Sequence, residues 1–408
     1  MKRRTRSAAF IAAILLGISL AGCGEKPDVP FPGDDMPGGG ASFSADAGEY
    51  FAAVTGAELL SGAENRCYSP VSLYLALAMA GAGAAGDTQA QIYALLGAED
   101  TETLAAGCRV MLDTLQRDEE DSKLYLANSV WTRQGIETNP DYQTLLEQDF
   151  SAESFSVPFG QAKADQNMSA WVERHTKGLL KPQFQHEADT VAVLLNTIYF
   201  KDGWTESFLE GNTERGDFTT AGGETVRADF MQKQSAGLAR EGEAYCKAEL
   251  SFRSGGSMFF VLPDEDVPLQ TLLTGRGLQE LLTDEGVQNR DIAWSVPKFR
   301  QNGEMQLIDL LRSLGVTDAF DSDAADFSHG WNVPAYISEV RQGTAFSVDE
   351  NGVEAAAYTE ISMNETAALV EPEPPLEMRL DRPFLYGVRS ADGTLLFVGV
   401  CADPTQED

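Results

Sequence analysis

ENGVEAAAYTEISMNETAALVEPEPP occupies Glu350 to Pro375, and its reading decides how the rest of the chain is understood. After Glu350-Asn351-Gly352 the odd positions run Val353, Ala355, Ala357, Thr359, Ile361 and Met363, and the even ones Glu354, Ala356, Tyr358, Glu360, Ser362 and Asn364. A period of two with small or apolar residues on one face predicts a strand resting on a core. Glu371-Pro372-Glu373-Pro374-Pro375 cannot continue a sheet, so strand character ends before it. A plain strand followed by a proline-rich loop accounts for the alternation. The short side chains at 355–357 favour something sharper, because they let a segment slide between neighbours at little steric cost.

On either side of this stretch the elements alternate. Ser69-Pro70 supplies an N-cap and a first-turn proline ahead of VSLYLALAMA, so that apolar run predicts a buried helix. Asp87-Thr88 opens a second helix that Gly97 closes, and further helices are expected at Asn139 to Asp149, Gln161 to Thr176 and Glu304 to Leu314. Strand patterns cover Val191 to Phe200, Ser257 to Leu262 and Ala335 to Val348, with a hairpin from Phe384 to Arg389 and Leu395 to Val400. Helices gather early and strands late, which is the α+β class.

The 408 residues carry 63 acidic against 30 basic side chains, a net charge of −33 that repels nucleic acid and anionic lipid surfaces. Three histidines leave little choice of general base and no His-rich metal centre. Gly81 to Gly86 matches GxGxxG, but a dinucleotide site needs a strand before it, where a helix is expected. His186-Glu187 starts like a zinc-protease helix, yet position 190 is Thr. No GxSxG elbow or P-loop occurs, and the acidic runs Asp118 to Asp121 and Asp349-Glu350 read as solvated faces. The chain is therefore not read as an enzyme, and neither a metal nor a cofactor is expected.

Residues 1–22 form a targeting segment: four cations at positions 2, 3, 4 and 6, then an uncharged run from Ala8 to Leu20 that is too short to span a bilayer comfortably. Leu20-Ala21-Gly22-Cys23 then resembles the lipobox of bacterial lipoproteins, in which the cysteine thiol takes a lipid. Residues 23–43 are rich in Pro, Gly and Asp and read as a lipidated tether ahead of one large domain over 44–405. Cys67, Cys108, Cys246 and Cys401 show neither CxxC nor metal-ligand spacing, so free thiols are expected.

EVRQGTAFSVDENGVEAAAYT (Glu339 to Thr359) resembles the strand and hinge that lead into the reactive loop of the serpin family, with Glu350, Gly352, Glu354 and Ala355-Ala356-Ala357 matching residue by residue. Asn196 to Trp204, Cys67 to Ile92, Val296 to Ser328 and Asp381 to Pro404 resemble a central strand, two helices, late strands and the C-terminal hairpin of the same family. The resemblance implies helices around a large five-stranded sheet, two smaller sheets and an exposed reactive loop over 350–375. It also implies a monomeric inhibitor, exported and anchored by lipid alone, that forms a covalent complex with a serine protease. The protease cuts the loop, which inserts into the sheet as a new strand and drags the acyl-enzyme away. Inserting Val353 to Met363 would yield on the order of 10 kcal/mol, comparable with the stability of a whole domain.

The family's hinge glycine, Gly352, is followed here by Val353, where Thr or Ser is frequent. Gln342 stands where a histidine is common, in a sheet-opening region that the resemblance assigns to Ser69, Ser72, Asn196, Gln342 and Trp204. In that region Gln342 is expected to bond Asn196 and the Ser69 and Ser72 hydroxyls. About sixteen positions after Glu350 the count reaches Thr366-Ala367 as the reactive bond, whereas counting back from Pro383-Phe384 reaches Pro372. No basic residue lies between Glu350 and Met378, which points to an elastase-like or subtilisin-like target, with Leu369 or Met363 serving a chymotrypsin-like one. A non-inhibitory family member acting as a surface binding protein is the alternative.

Overall fold

The computed structural model describes residues 45–353 and 374–406. Helix α1 (Ala45–Leu59) and strand β1 (Arg66–Tyr68) precede α2 (Pro70–Gly83), α3 (Gly86–Leu96) and α4 (Thr101–Leu115). Next come β2 (Arg117–Asp118), β3 (Ser122–Arg133), α5 (Pro140–Gln148), β4 (Ala152–Val157), α6 (Ala162–His175) and β5 (Ala192–Gly203). Strands β6 (Thr213–Thr219), β7 (Thr225–Glu241), β8 (Tyr245–Ser251) and β9 (Ser257–Pro263) follow, then α7 (Gly275–Leu282), β10 (Gln288–Pro297) and β11 (Phe299–Gln306). The chain closes with α8 (Ile308–Ser313), β12 (Arg341–Val348), β13 (Gly352–Val353), β14 (Leu376–Arg379), β15 (Phe384–Arg389) and β16 (Leu395–Cys401).

Local chemistry explains most of these boundaries. The Ser69 hydroxyl accepts the Ser72 amide at 3.2 Å, Pro70 takes the first turn, and every residue of α2 except Ala76 is buried. Gly81 and Gly83 therefore lie inside a packed helix and cradle no phosphate. Gly97 adopts a left-handed φ of 66° and ends α3, as expected. Thr88 does not cap that helix; its hydroxyl accepts the Asp326 amide at 3.0 Å, and α3 starts at Gly86. Glu304 to Gln306 belong to β11 instead of a helix, because they pair with Gly343, Gln342 and Arg341. Strand character likewise begins only at Arg341; upstream, the Ile337 amide is taken by the Ala319 carbonyl at 2.8 Å.

The large sheet runs β11-β12-β13-β5-β3-β2, with β4 parallel on β3. Its five long strands are β4, β3, β5, β12 and β11; β2 and β13 have two residues each. The two smaller sheets expected from the resemblance are continuous, because β7 pairs with β6 and β10 and then hands its last three residues to β8. One nine-stranded sheet results, ordered β1-β16-β15-β9-β8-β7-β10-β14 with β6 on β7. The core lies where the two sheets face each other: Phe346 stacks on Tyr386 at 5.2 Å between centroids, and Phe200 meets Phe252 edge-on at 5.3 Å. No disulfide forms among Cys67, Cys108, Cys246 and Cys401, and burial pushes the Cys67 thiol up to about 12.

Candidate functional site: a gap in the large sheet

Strands β5 and β12 flank β13 in the large sheet, and among the described residues only the two residues of β13 join them. Val353 pairs with Val348 on one side and with Asp202 on the other, and Gly352 faces Gly203. Beyond these two residues the strands part around a cavity of about 480 Å³, lined on its inner side by Leu77, Leu194, Ile198, Trp331 and Ile337. A strand continuing from β13 would be antiparallel to both neighbours, which is the geometry of an added strand.

The hinge end is held tightly. Asp349 forms an Asx turn, its Oδ1 accepting the Asn351 amide at 2.8 Å, and a side chain at Gly352 would overlap the Asp202 carbonyl oxygen. Trp204, fully buried, donates its amide to the Asn351 carbonyl at 2.8 Å and its indole Nε1 to the Asp349 carbonyl at 3.0 Å. Its ring stacks on Phe252 at 5.0 Å. Trp204 thus fastens the hinge turn and does not sit with Asn196 lower down β5, where the sequence reading grouped it. Glu350 is buried between Thr213 and Lys298, partners that carry no mark in the sequence pattern.

Lower in the gap the polar residues meet differently from expectation. Gln342 Oε1 accepts the Ser69 amide at 2.8 Å and its Nε2 donates to the Ser69 carbonyl at 3.0 Å, so it grips backbone and touches neither serine hydroxyl. The Ser69 hydroxyl is already committed to capping α2. Asn196 donates to Asn128 Oδ1 at 2.7 Å instead of bonding Gln342. Ser72 Oγ and Asn196 Oδ1 are buried in or beside this region without a hydrogen-bond partner among the described residues. Such atoms favour an arriving donor, since an unpaired buried polar group is costly.

Glu354, Ala355, Ala356, Ala357, Thr366, Ala367 and Cys23 lie outside the described residues. His186, which opens the incomplete zinc motif, places Nδ1 2.7 Å from Asp165 Oδ1, and among the described residues no group of His, Cys, Asp and Glu is arranged to hold a metal ion.

Comparison with known proteins places these features in context. A family model described as Serpin (serine protease inhibitor) matches residues 48–404. Serpin-Z1C of Triticum aestivum is 30% identical over 368 residues, covering 84% of this chain and 91% of the relative. Neuroserpin of Mus musculus is 30% identical over 363 residues, covering 84% of this chain and 86% of the relative. The native-state structure of the thermophilic serpin tengpin superposes with a TM-score of 0.78 at 28% identity, over 89% of this chain and 94% of that one.

Proposed function

The chain belongs to the serpin family, and from that premise we propose that it inhibits a serine protease as a suicide substrate. The observation that carries this reading is the gap between β5 and β12, bridged at one end by the hinge residues Gly352 and Val353. Directly after them the sequence runs on as a strand-patterned segment with small inward residues. The protease serine oxygen attacks the Thr366 carbonyl carbon, the Thr366–Ala367 bond breaks, and the Ala367 amine leaves with a proton. Thr366 stays on the enzyme as an ester. The chain from Glu354 onward then enters the gap, where a continuation in the β13 register would bring Ala355 between Phe200 and Phe346.

Small residues around Thr366 and the absence of Lys or Arg favour an elastase-like or subtilisin-like partner. Export, attachment of lipid at Cys23 in the manner of bacterial lipoproteins, and action as a monomer complete the reading, supported by the basic-then-apolar start and Leu20-Ala21-Gly22-Cys23. The test is incubation with elastase-, subtilisin-, chymotrypsin- and trypsin-like proteases, followed by denaturing electrophoresis. A band of the summed mass that resists SDS is expected with the first two. A chain that is cut by them, forms no such band and melts at the same temperature before and after cutting would be a non-inhibitory binding protein.

A further inference from the structure

Lys247 and Glu249 stand on one face of β8, beside Ser257 and Phe259 of β9 and Arg389 of β15, and all but Ser257 are buried. The Lys247 ammonium lies 4.5 Å and the Arg389 guanidinium 5.2 Å from the centre of the Phe259 ring. Glu49 of α1 and Asp284, just past the end of α7, complete the group through Arg389 and Lys247. Three acids thus meet two bases.

Hydrogen bonding decides which acid is left over. Lys247 Nζ has three acceptors for its three N–H bonds: Asp284 Oδ1 at 2.7 Å, the Thr283 carbonyl at 2.9 Å and the Leu282 carbonyl at 3.3 Å. It is held as an ammonium with nothing more to donate. Arg389 Nη1 donates to Glu49 Oε1 at 2.6 Å and Nη2 to the Leu282 carbonyl, so Glu49 has its own cation. Glu249 Oε2 accepts the Ser257 hydroxyl at 2.9 Å, but Oε1 lies 4.0 Å from Lys247 Nζ and receives no N–H or O–H among the described residues. The Asp284 carboxyl is within hydrogen-bonding reach of Glu249, and two carboxylates attract each other only with a proton between them. Burial and the Asp284 charge push Glu249 up, whereas Asp284, which burial alone would raise, is held down by Lys247 and Arg389.

We propose that Glu249 and Asp284 share one proton, carried by Glu249, and that this proton fastens the end of α7 to the nine-stranded sheet as a pH-sensitive lock. Folded Glu249 binds its proton more tightly than an unfolded glutamate, whose pKa is about 4.3. Its contribution to stability is therefore full in acid and is lost as pH rises through the folded value. Once the proton leaves, two carboxylates face one ammonium. Asp284 is the partly exposed one, so it turns to water and draws residues 282–284 off Lys247.

Infrared difference spectra, denaturant unfolding and amide exchange across pH test this on wild type, Glu249→Gln, Asp284→Asn and Glu49→Gln. Wild type minus Glu249→Gln should show a protonated-carboxyl C=O band that persists after surface acids have ionised. Asp284→Asn removes the repelling charge and should move the loss of that band to lower pH. Glu49, which burial also pushes up, is the rival seat, and Glu49→Gln should keep the band. Glu249→Gln supplies a permanent donor, so its denaturant midpoint should exceed that of wild type at neutral pH and approach it in acid. Exchange at the Leu282 and Thr283 amides, corrected for its intrinsic pH dependence, should quicken with pH in wild type and stay level in Glu249→Gln. No such band, a band kept in Glu249→Gln but lost in Glu49→Gln, or a midpoint difference that narrows as pH rises overturns the proposal. Should Glu249→Gln not fold, the comparison of wild type with Asp284→Asn decides alone, and an unmoved band overturns it.

Discussion

Lys298 Nζ lies 2.8 Å from Glu350 Oε2, so the acidic residue just ahead of β13 is tied by charge to the point where the chain passes from β10 in the nine-stranded sheet to β11 in the large one. Thr213 holds the second carboxylate oxygen, donating at 2.8 Å. Burial would raise the Glu350 pKa, but the Lys298 and Thr213 hydrogen bonds outweigh it and hold the carboxyl below its ordinary value. The hinge turn is thereby anchored on three sides: by this pair, by the Trp204 indole, and by pairing to Asp202.

Because the folded Glu350 pKa is depressed, its contribution to stability is present above the unfolded value of about 4.3 and disappears as pH falls through the folded one. Lys298→Ala should thus cost about 1–3 kcal/mol at pH 7, leaving a buried carboxylate that keeps its hydrogen bonds to Thr213 and backbone but has lost its charge partner. Melting curves across pH 7 to 3 should show the two proteins converging on the acid side. A difference that widens toward pH 3 would contradict the assignment.

Gln342 joins β12 to the start of α2 through two hydrogen bonds to Ser69. Gln342→Ala leaves the Ser69 amide and carbonyl without that partner, and a loss of about 1–3 kcal/mol in unfolding free energy is expected. The denaturant midpoint should drop accordingly, and hydrogen exchange at the Ser69 amide should quicken. A midpoint unchanged from wild type would mean that the grip on Ser69 adds nothing to stability.

Elements whose cause is local were readable from the sequence. Ser69-Pro70 starts α2, Gly97 ends α3, and the hairpin around Ala391-Asp392-Gly393 joins β15 to β16 because the turn residues and the alternation sit side by side. Where the cause is distant, the reading failed. Glu304 to Gln306 carry a helix-like pattern but pair with Gly343 to Arg341, almost forty residues on, and tertiary pairing overrides local preference. The partners of Gln342 were misjudged for a similar reason, since only the fold reveals that the Ser69 hydroxyl is spent on its own helix cap. Lys298 and Thr213 are ordinary residues in sequence, and only the approach of the two sheets makes them the seat of Glu350.

Inward and outward positions of the loop should respond differently to charge. If the strand continued on insertion in the register of β13, residue 355 would come between Phe200 and Phe346, both buried, and residue 356 would come to the outer face beside Tyr199 and Ala345. Ala355→Arg would bury an unpaired guanidinium on insertion, at roughly several kcal/mol. It should turn the inhibitor into a substrate that is cut and released, read as loss of the SDS-stable band with gain of cleaved chain. Ala356→Arg should leave most of the band. Equal loss from both would refute the facing.

The anchor and the inhibitory domain should separate cleanly. If Cys23 carries lipid, Cys23→Ala should shift the protein from the membrane fraction to the soluble one, because the lipid is the only attachment expected and a net charge of −33 is repelled by anionic lipid. Inhibition should persist at wild-type rate, since residues 23–43 read as a tether without a packed core. Retention of the variant in the membrane fraction would remove the case for the lipid.

Two rulers disagree about where the loop is cut. Counting forward about sixteen positions from Glu350 gives Thr366-Ala367, while counting back from Pro383-Phe384 gives Pro372, so this loop is some six residues longer beyond the forward site. Hinge-to-cut distance decides how much strand can enter the gap while the acyl-enzyme still exists; extra chain after the cut leaves with the other fragment. The forward ruler therefore governs. β14 fits this view, because Leu376 to Arg379 pair parallel with Ile292 to Ser295 of β10 and fix the far end of the loop independently of its length. Mass spectrometry of the C-terminal peptide released on complex formation should find a fragment that starts at Ala367. A start beyond Val370 would overturn the forward count, and one at Asn364 or Val370 would move the reactive residue to Met363 or Leu369 and the target to a chymotrypsin-like protease.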